Sequence, residues 1–316
     1  MIRTLQQVSL YSVVPFFCFP HKLALNALSG DSYAVAYMHF REGHSGKLNL
    51  ALHFVCLTFT VLANAALLSA IDGWLPPMAF LPAALAGRWL SALTAVGWVA
   101  TLAASPAPLP CSIASTALIA TAMVLGPWVR HNPDALEHYT LPLFVTLMVV
   151  GKLLSNASVP KCMRCTSGPL RTIALWSAVL VAWRVAALTA AATYGAALSA
   201  QSTTLLRSLA ALLVLLSALP NPLKPTVVVG MIACRAVAVA SGVPEVQLLG
   251  YGFFGSFLQG MAHRVTGEDA TLLTLEKSEA SSKRLAYEWS HVTFFPNLLF
   301  HVIYNACLTA VSTKKA

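Results

Sequence analysis

Residues 47–71 read "KLNLALHFVCLTFTVLANAALLSAI", and this run settles the fold class. From Leu48 to Ile71 it holds no Asp, Glu, Lys or Arg, and its apolar residues do not alternate with period two. An apolar run of ~17–25 residues, coiled as a helix, reaches across a hydrocarbon core of ~30 Å. Only helices and closed barrels satisfy the backbone in lipid. An unbroken Ala/Leu/Val run fits the helix, because barrel strands alternate.

Similar runs recur on both sides of this one. They lie roughly at 77–104, 111–129, 139–155, 170–199, 203–220, 225–242, 246–262 and 292–311, which with 48–71 makes about nine spans. The composition agrees: 57% of the 316 residues are hydrophobic, 10% are charged and the mean hydropathy is +0.71. Soluble domains carry about 25% charged residues. The expected fold is therefore all-α, a polytopic transmembrane helix bundle. Turns built from proline and glycine separate the runs at "GWLPP" (73–77), "SPAPLP" (105–110) and "LPNPLKP" (219–225). The eighth run contains "GYGFFGSFLQG" (250–260), whose glycines also admit a re-entrant loop. Residues 1–46 read as an N-terminal interfacial segment and 47–312 as a single bundle. Within that bundle 263–290 is polar enough for an interfacial helix.

The net charge of +9 does not point to nucleic acid, because its basic residues are scattered among short loops. Arg3, Lys22, Arg41 and Lys47 precede the first span, Lys161, Arg164 and Arg171 follow the fourth, and Lys277, Lys283 and Arg284 follow the eighth. These clusters fall on one side of a nine-span chain, the cytoplasmic side by the positive-inside rule, with Lys314 and Lys315 opposing. The seven cysteines lie mostly in apolar runs and read as packing residues. Cys162 and Cys165 have CxxC spacing but lack the further ligands a zinc site needs nearby. Arg88, Arg184, Arg207 and Arg235 are lone arginines in or near spans, placed to snorkel, to pair across the bundle or to bind lipid headgroups.

That topology gathers His39, His44, His53, His263 and His291 at one membrane face and sends His131 and His138 to the other. Neutral imidazole is the commonest metal ligand, and Fe(II) accepts it together with carboxylate. Glu42, Glu268, Asp269 and Glu288 lie nearby in sequence. The plainer reading is that the histidines cap helix ends. A geometric condition separates the two: nine residues at ~100° each put His44 and His53 on opposite sides of one straight helix. They converge only if the helix starts after His44, near Ser45-Gly46.

His44, Asn49 and His53, spaced H-x4-N-x3-H at the mouth of an apolar run, resemble the opening motif of the fungal 2-hydroxypalmitate dioxygenase family. "QGMAHRVTGEDATLL" offers Gln259, His263, Glu268, Ala270 and Leu272 in the order of that family's second motif, and "FFPNLLFHVIY" is similar to its closing span. An upstream "QLLGYG" (247–252) competes, with Tyr251 in the histidine position, and Ser45-Gly46 stands where the family has Asn-Pro. The resemblance implies a helical protein of the endoplasmic reticulum membrane that uses Fe(II) and essential histidines to shorten 2-hydroxy fatty acids by one carbon. It further implies His44, His53, His263 and His291 as metal ligands, with Asn49 and Glu268 as catalytic residues. The partners would be membrane lipid and a fatty acyl substrate.

A second reading is a non-catalytic multi-span subunit of a larger membrane complex, for example in the mitochondrial inner membrane. Its Ala/Leu-rich middle would then supply helix-packing surface.

Overall fold

The computed structural model describes residues 33–155, 233–239, 241–268 and 294–308. Every regular element among them is a helix: α1 (Tyr33–Glu42), α2 (Lys47–Asp72), α3 (Trp89–Ala104), α4 (Leu109–His131), α5 (Pro133–Ser155), α6 (Pro244–Thr266) and α7 (Phe294–Leu308). A further helical piece covers 233–239.

Helix α2 is the axis of the fold. A helix that is hydrophobic all round must be buried all round, and α2 is covered on two sides. Leu52, Cys56, Phe59 and Ala63 pack against Tyr251, Phe254 and Leu258 of α6 and Phe144 of α5. Leu57, Val61, Ala65 and Leu68 pack against Trp98 and Leu102 of α3, Ile119 and Ala122 of α4, and Leu298 of α7. Small residues set the closest crossings. A Cβ at Gly126 of α4 would lie 2.8 Å from the backbone of Ala65, and one at Gly255 of α6 would collide with Thr60 Oγ1.

Three contacts fix the direction of the helices. Arg130 donates to Ser69 O at 3.0 Å, so α4 ends beside the C-terminus of α2. Gln247 donates to Asp134 Oδ1 at 2.9 Å, so α6 starts at that same end and runs back along α2. A Cβ on Gly151 would meet Leu48, so α5 returns to the N-terminus of α2. The two ends of α2 therefore have different company: Glu137, Arg235, Gln247 and Tyr251 are buried near its C-terminal end, and histidines gather at the other.

The helices follow six of the expected spans, with changed limits. The second, expected over 77–104, is helical only from Trp89 to Ala104, apart from a single turn at Ala83–Ala86. Pro76, Pro77 and Pro82 interrupt it, since proline lacks the amide a helix interior needs. The glycine-rich eighth run is one continuous helix, α6, rather than a re-entrant loop. The runs at 170–199 and 203–220 lie outside the described residues, as do half of 225–242, the polar stretch beyond Glu268, Cys162 and Cys165.

Among the described residues two helices, α2 and α4, are long and apolar enough to cross a membrane by length and composition. The outward surface of α3, α4 and α5 exposes Val96, Ile113, Val124, Trp128 and Leu143. The part of the N-terminal segment that is described belongs to the bundle: Phe40 of α1 is buried against Phe295 of α7. Asn305 donates to Tyr37 Oη at 2.6 Å, and the Tyr33 hydroxyl lies 3.1 Å from His301 Nδ1. Burial pushes the Tyr33 hydroxyl well above its ordinary range, so it stays neutral in this seam.

Candidate metal centre

The centre is assembled from two chain ends. Helix α1 stops at Glu42, residues 43–46 turn the chain, and α2 starts at Lys47 with Gly46 as its N-cap. His44 thus sits in the turn and His53 inside α2, which is the condition under which two histidines nine apart can converge. Their ring centroids are 4.3 Å apart at 86°. His263, in the last turn of α6, completes the triangle at 4.7 Å from His44 and 4.6 Å from His53. One ligand nitrogen from each of the three lies within 4.8 Å of the others. All three side chains are buried, at 2%, 1% and 8% exposure.

Each ring is oriented by a main-chain carbonyl. His44 Nδ1 is 2.6 Å from Phe40 O, His53 Nδ1 is 3.0 Å from Asn49 O, and His263 Nδ1 is 3.1 Å from Glu268 O. A carbonyl only accepts, so each Nδ1 carries the proton and each lone pair sits on Nε2. This is how metal-binding histidines are commonly held. The ring of Phe40 stacks on His44 at 3.7 Å.

His263 owes its position to a glycine. Gly267 ends α6 at φ 77, in the left-handed region, and this lets Glu268 N donate to His263 O at 3.0 Å. The same residue pair is therefore joined twice, by that bond and by the Nδ1 bond to Glu268 O.

The carboxylate of Glu268 faces the other way. Its Oε1 accepts from Gly46 N at 2.6 Å and Ser45 Oγ at 3.3 Å, and its Oε2 accepts from Ser45 N at 3.0 Å and Asn49 Nδ2 at 2.6 Å. An anion at a helix N-terminus meets unsatisfied amides and the positive end of the dipole. Glu268 thus clasps the start of α2 to the end of α6. A Cβ at position 46 would collide with its Oε1, so Gly46 is required by space and not by backbone conformation, which is extended there. Asn49 is buried, gives Nδ2 also to Gly43 O at 2.9 Å, and supplies the carbonyl that orients His53.

The structure therefore brings together His44, His53, His263, Asn49 and Glu268. It places Glu268 and Asn49 behind the histidines, as groups that hold them. His291 lies outside the described residues, as do Asp269 and Glu288. His131 and His138 are exposed near the far end of α2. Ser69, beside Arg130, is 16 residues beyond His53, or ~24 Å along the helix.

Sequence reasoning missed the polar cluster at that far end, where Arg235 bonds Asp134 Oδ1 at 2.8 Å and Tyr251 donates to Pro133 O at 2.8 Å. The sequence places Arg235 where it can pair across the bundle, and its partners on α5 carry no signal in a charge-poor sequence. Against known protein families, curated proteins and solved structures, the chain has no match.

Proposed function

We propose that this protein is a membrane-embedded, metal-dependent oxygenase acting on 2-hydroxy fatty acids, shortening them by one carbon with Fe(II). The observation that carries the metal reading is the triad: three buried imidazoles from two distant parts of the chain, each with Nδ1 bonded to a carbonyl. Pre-orientation of this kind suits a cation and is more than capping a helix end requires. Neutral imidazole suits iron as well as zinc, so the residues present fit the group. His44, His53 and His263 would hold the ion, and a bound ferrous ion would supply an open position for dioxygen. Iron as the metal and a 2-hydroxy fatty acid as the substrate rest on the resemblance of residues 44–53 and 259–272 to the dioxygenase family. That resemblance also suggests the endoplasmic reticulum membrane.

Two further features support an apolar substrate in lipid. One is the exposed apolar surface of α3, α4 and α5. The other is an apolar groove of about 280 Å³ between α2, α4 and α5, bordered by Val55, Phe59, Leu62, Val129, Leu136 and Leu143. Its lining on α2 starts at Phe54, the residue after His53.

The test is iron stoichiometry and consumption of 2-hydroxypalmitate by detergent-purified protein reconstituted with Fe(II). His44→Ala, His53→Ala and His263→Ala should each lose both, because three ligands act as a set. His131→Ala and His138→Ala should keep both. Folded wild-type protein that takes up no iron and leaves 2-hydroxypalmitate untouched would overturn the enzyme reading in favour of a non-catalytic membrane subunit.

A further inference from the structure

Resting on that reading, we propose that Gln259 is a substrate-binding residue, whose Nε2 donates a hydrogen bond to an oxygen of an acidic head group held at the histidine centre. The argument begins with helix periodicity. Residues three and four apart share a helix face, so Gly255, Gln259 and His263 form one stripe on α6. Both ends of the stripe are anchored to α2. Gly255 lies against Thr60, and the His263 ring packs against His53. Gln259, between them, therefore faces α2 at the level of Cys56, one turn of ~5.4 Å deeper into the bundle than His263.

At that place Gln259 Nε2 is buried and has no hydrogen-bond partner among the described residues. A buried donor left unmade is costly, and such groups call for an explanation, of which a ligand is one. Cys56, opposite it by register, and Leu258, beside it in sequence, are buried apolar residues.

The separation selects the ligand. Side chains one turn apart on a helix face are ≈ 5–6 Å apart at Cβ. A ligand with two oxygens can meet the histidine centre with one of them and the Gln259 amide with the other. A carboxylate, or a carboxylate with its neighbouring hydroxyl, has the required two oxygens and accepts from an amide. The acyl chain then continues inward among the apolar side chains.

The test uses purified full-length protein loaded with Co(II), whose visible absorption reports ligands entering the metal's coordination sphere. Wild-type protein and Gln259→Leu are each titrated with 2-hydroxypalmitate and with hexadecanol. Gln259→Leu should load cobalt to the same stoichiometry and be no less stable, since it removes a donor with no partner among the described residues. Its affinity for 2-hydroxypalmitate should fall about tenfold or more, while hexadecanol binds both proteins equally. Gln259→Met, which keeps the side-chain length, repeats the comparison if the leucine variant does not fold. Normal cobalt loading with unchanged 2-hydroxypalmitate affinity would overturn this inference alone. Wild-type protein that takes up no cobalt would overturn the metal reading, and this inference with it.

Discussion

At the scale of single residues, the centre depends on contacts that leave almost no space. Glu268 Oε1 rests 2.6 Å from Gly46 N, close enough that a Cβ at 46 would collide with it. Gly46→Ala must push the carboxylate off the start of α2 or shift the turn that carries His44. Forcing an extra carbon into a packed site costs roughly 1–3 kcal/mol. The expected outcome is a lower melting temperature together with weaker metal binding, read by calorimetry and by cobalt titration of the same preparation. Ser45→Ala is the contrast: it keeps the main-chain donor to Glu268 and loses only an exposed bond of 3.3 Å, so both readouts should stay near wild type. A Gly46→Ala protein with unchanged melting and cobalt affinity would show that the clasp is dispensable. Part of this site was legible in the sequence. The 180° conflict between His44 and His53 demands a helix start between them, and α2 starts there. The task of Glu268 was not legible, because a sequence names a carboxylate without saying which amides it faces.

At the scale of elements, carboxylates at helix starts recur. Asp72, the last residue of α2, accepts from Leu90 N at 2.9 Å and Ser91 N at 3.1 Å, and from the Ser91 hydroxyl. It thereby caps α3, whose own N-cap, Arg88, makes no side-chain capping bond. Removing a capping side chain typically costs about 1 kcal/mol, with a further few tenths when a charge on the dipole is lost. Asp72→Ala should destabilise the bundle by that amount and speed amide exchange at Leu90 and Ser91 in particular. Exchange there as slow as in wild type would refute the cap. The element also shows where sequence reading overreached. Hydropathy summed over 77–104 sees only composition, but helix needs amides, and the prolines at 76, 77 and 82 remove them. The limits of α2 and α4 were easier to read, since both are long apolar runs bounded by clear breaks. The pairing of Arg235 with Asp134 was hidden for the opposite reason: it joins residues 101 apart, and no local pattern encodes it.

At the scale of the whole molecule, the triad joins parts of the chain more than 200 residues apart. His44 precedes α2, His53 lies within it, and His263 ends α6, which carries Leu248, Tyr251, Phe254 and Leu258 into the core against α2. An ion held by all three is bound by the folded bundle and not by the unfolded chain. It must stabilise the fold by mass action, by ≈ 2.7 kcal/mol when free metal stands at 100 times its dissociation constant. Closing so long a loop adds little to the entropic cost, which grows only with the logarithm of length, so the gain is expected to appear almost undiminished. Because α2 lies in both halves of the core, the effect should not be confined to the ends of the chain. Trp98 is buried in the half of the core that α6 does not enter, and with the other six tryptophans replaced by phenylalanine its fluorescence reports that half. The measurement is thermal unfolding of detergent-purified protein with Co(II) and with chelator, followed by fluorescence and by helicity. Wild type should shift upward with metal in one transition seen equally by both probes, and His263→Ala should melt at one temperature in either condition. A metal-dependent shift that persists in His263→Ala would place the ion elsewhere. A shift seen by helicity but absent from fluorescence would mean that the two halves of the core do not unfold together.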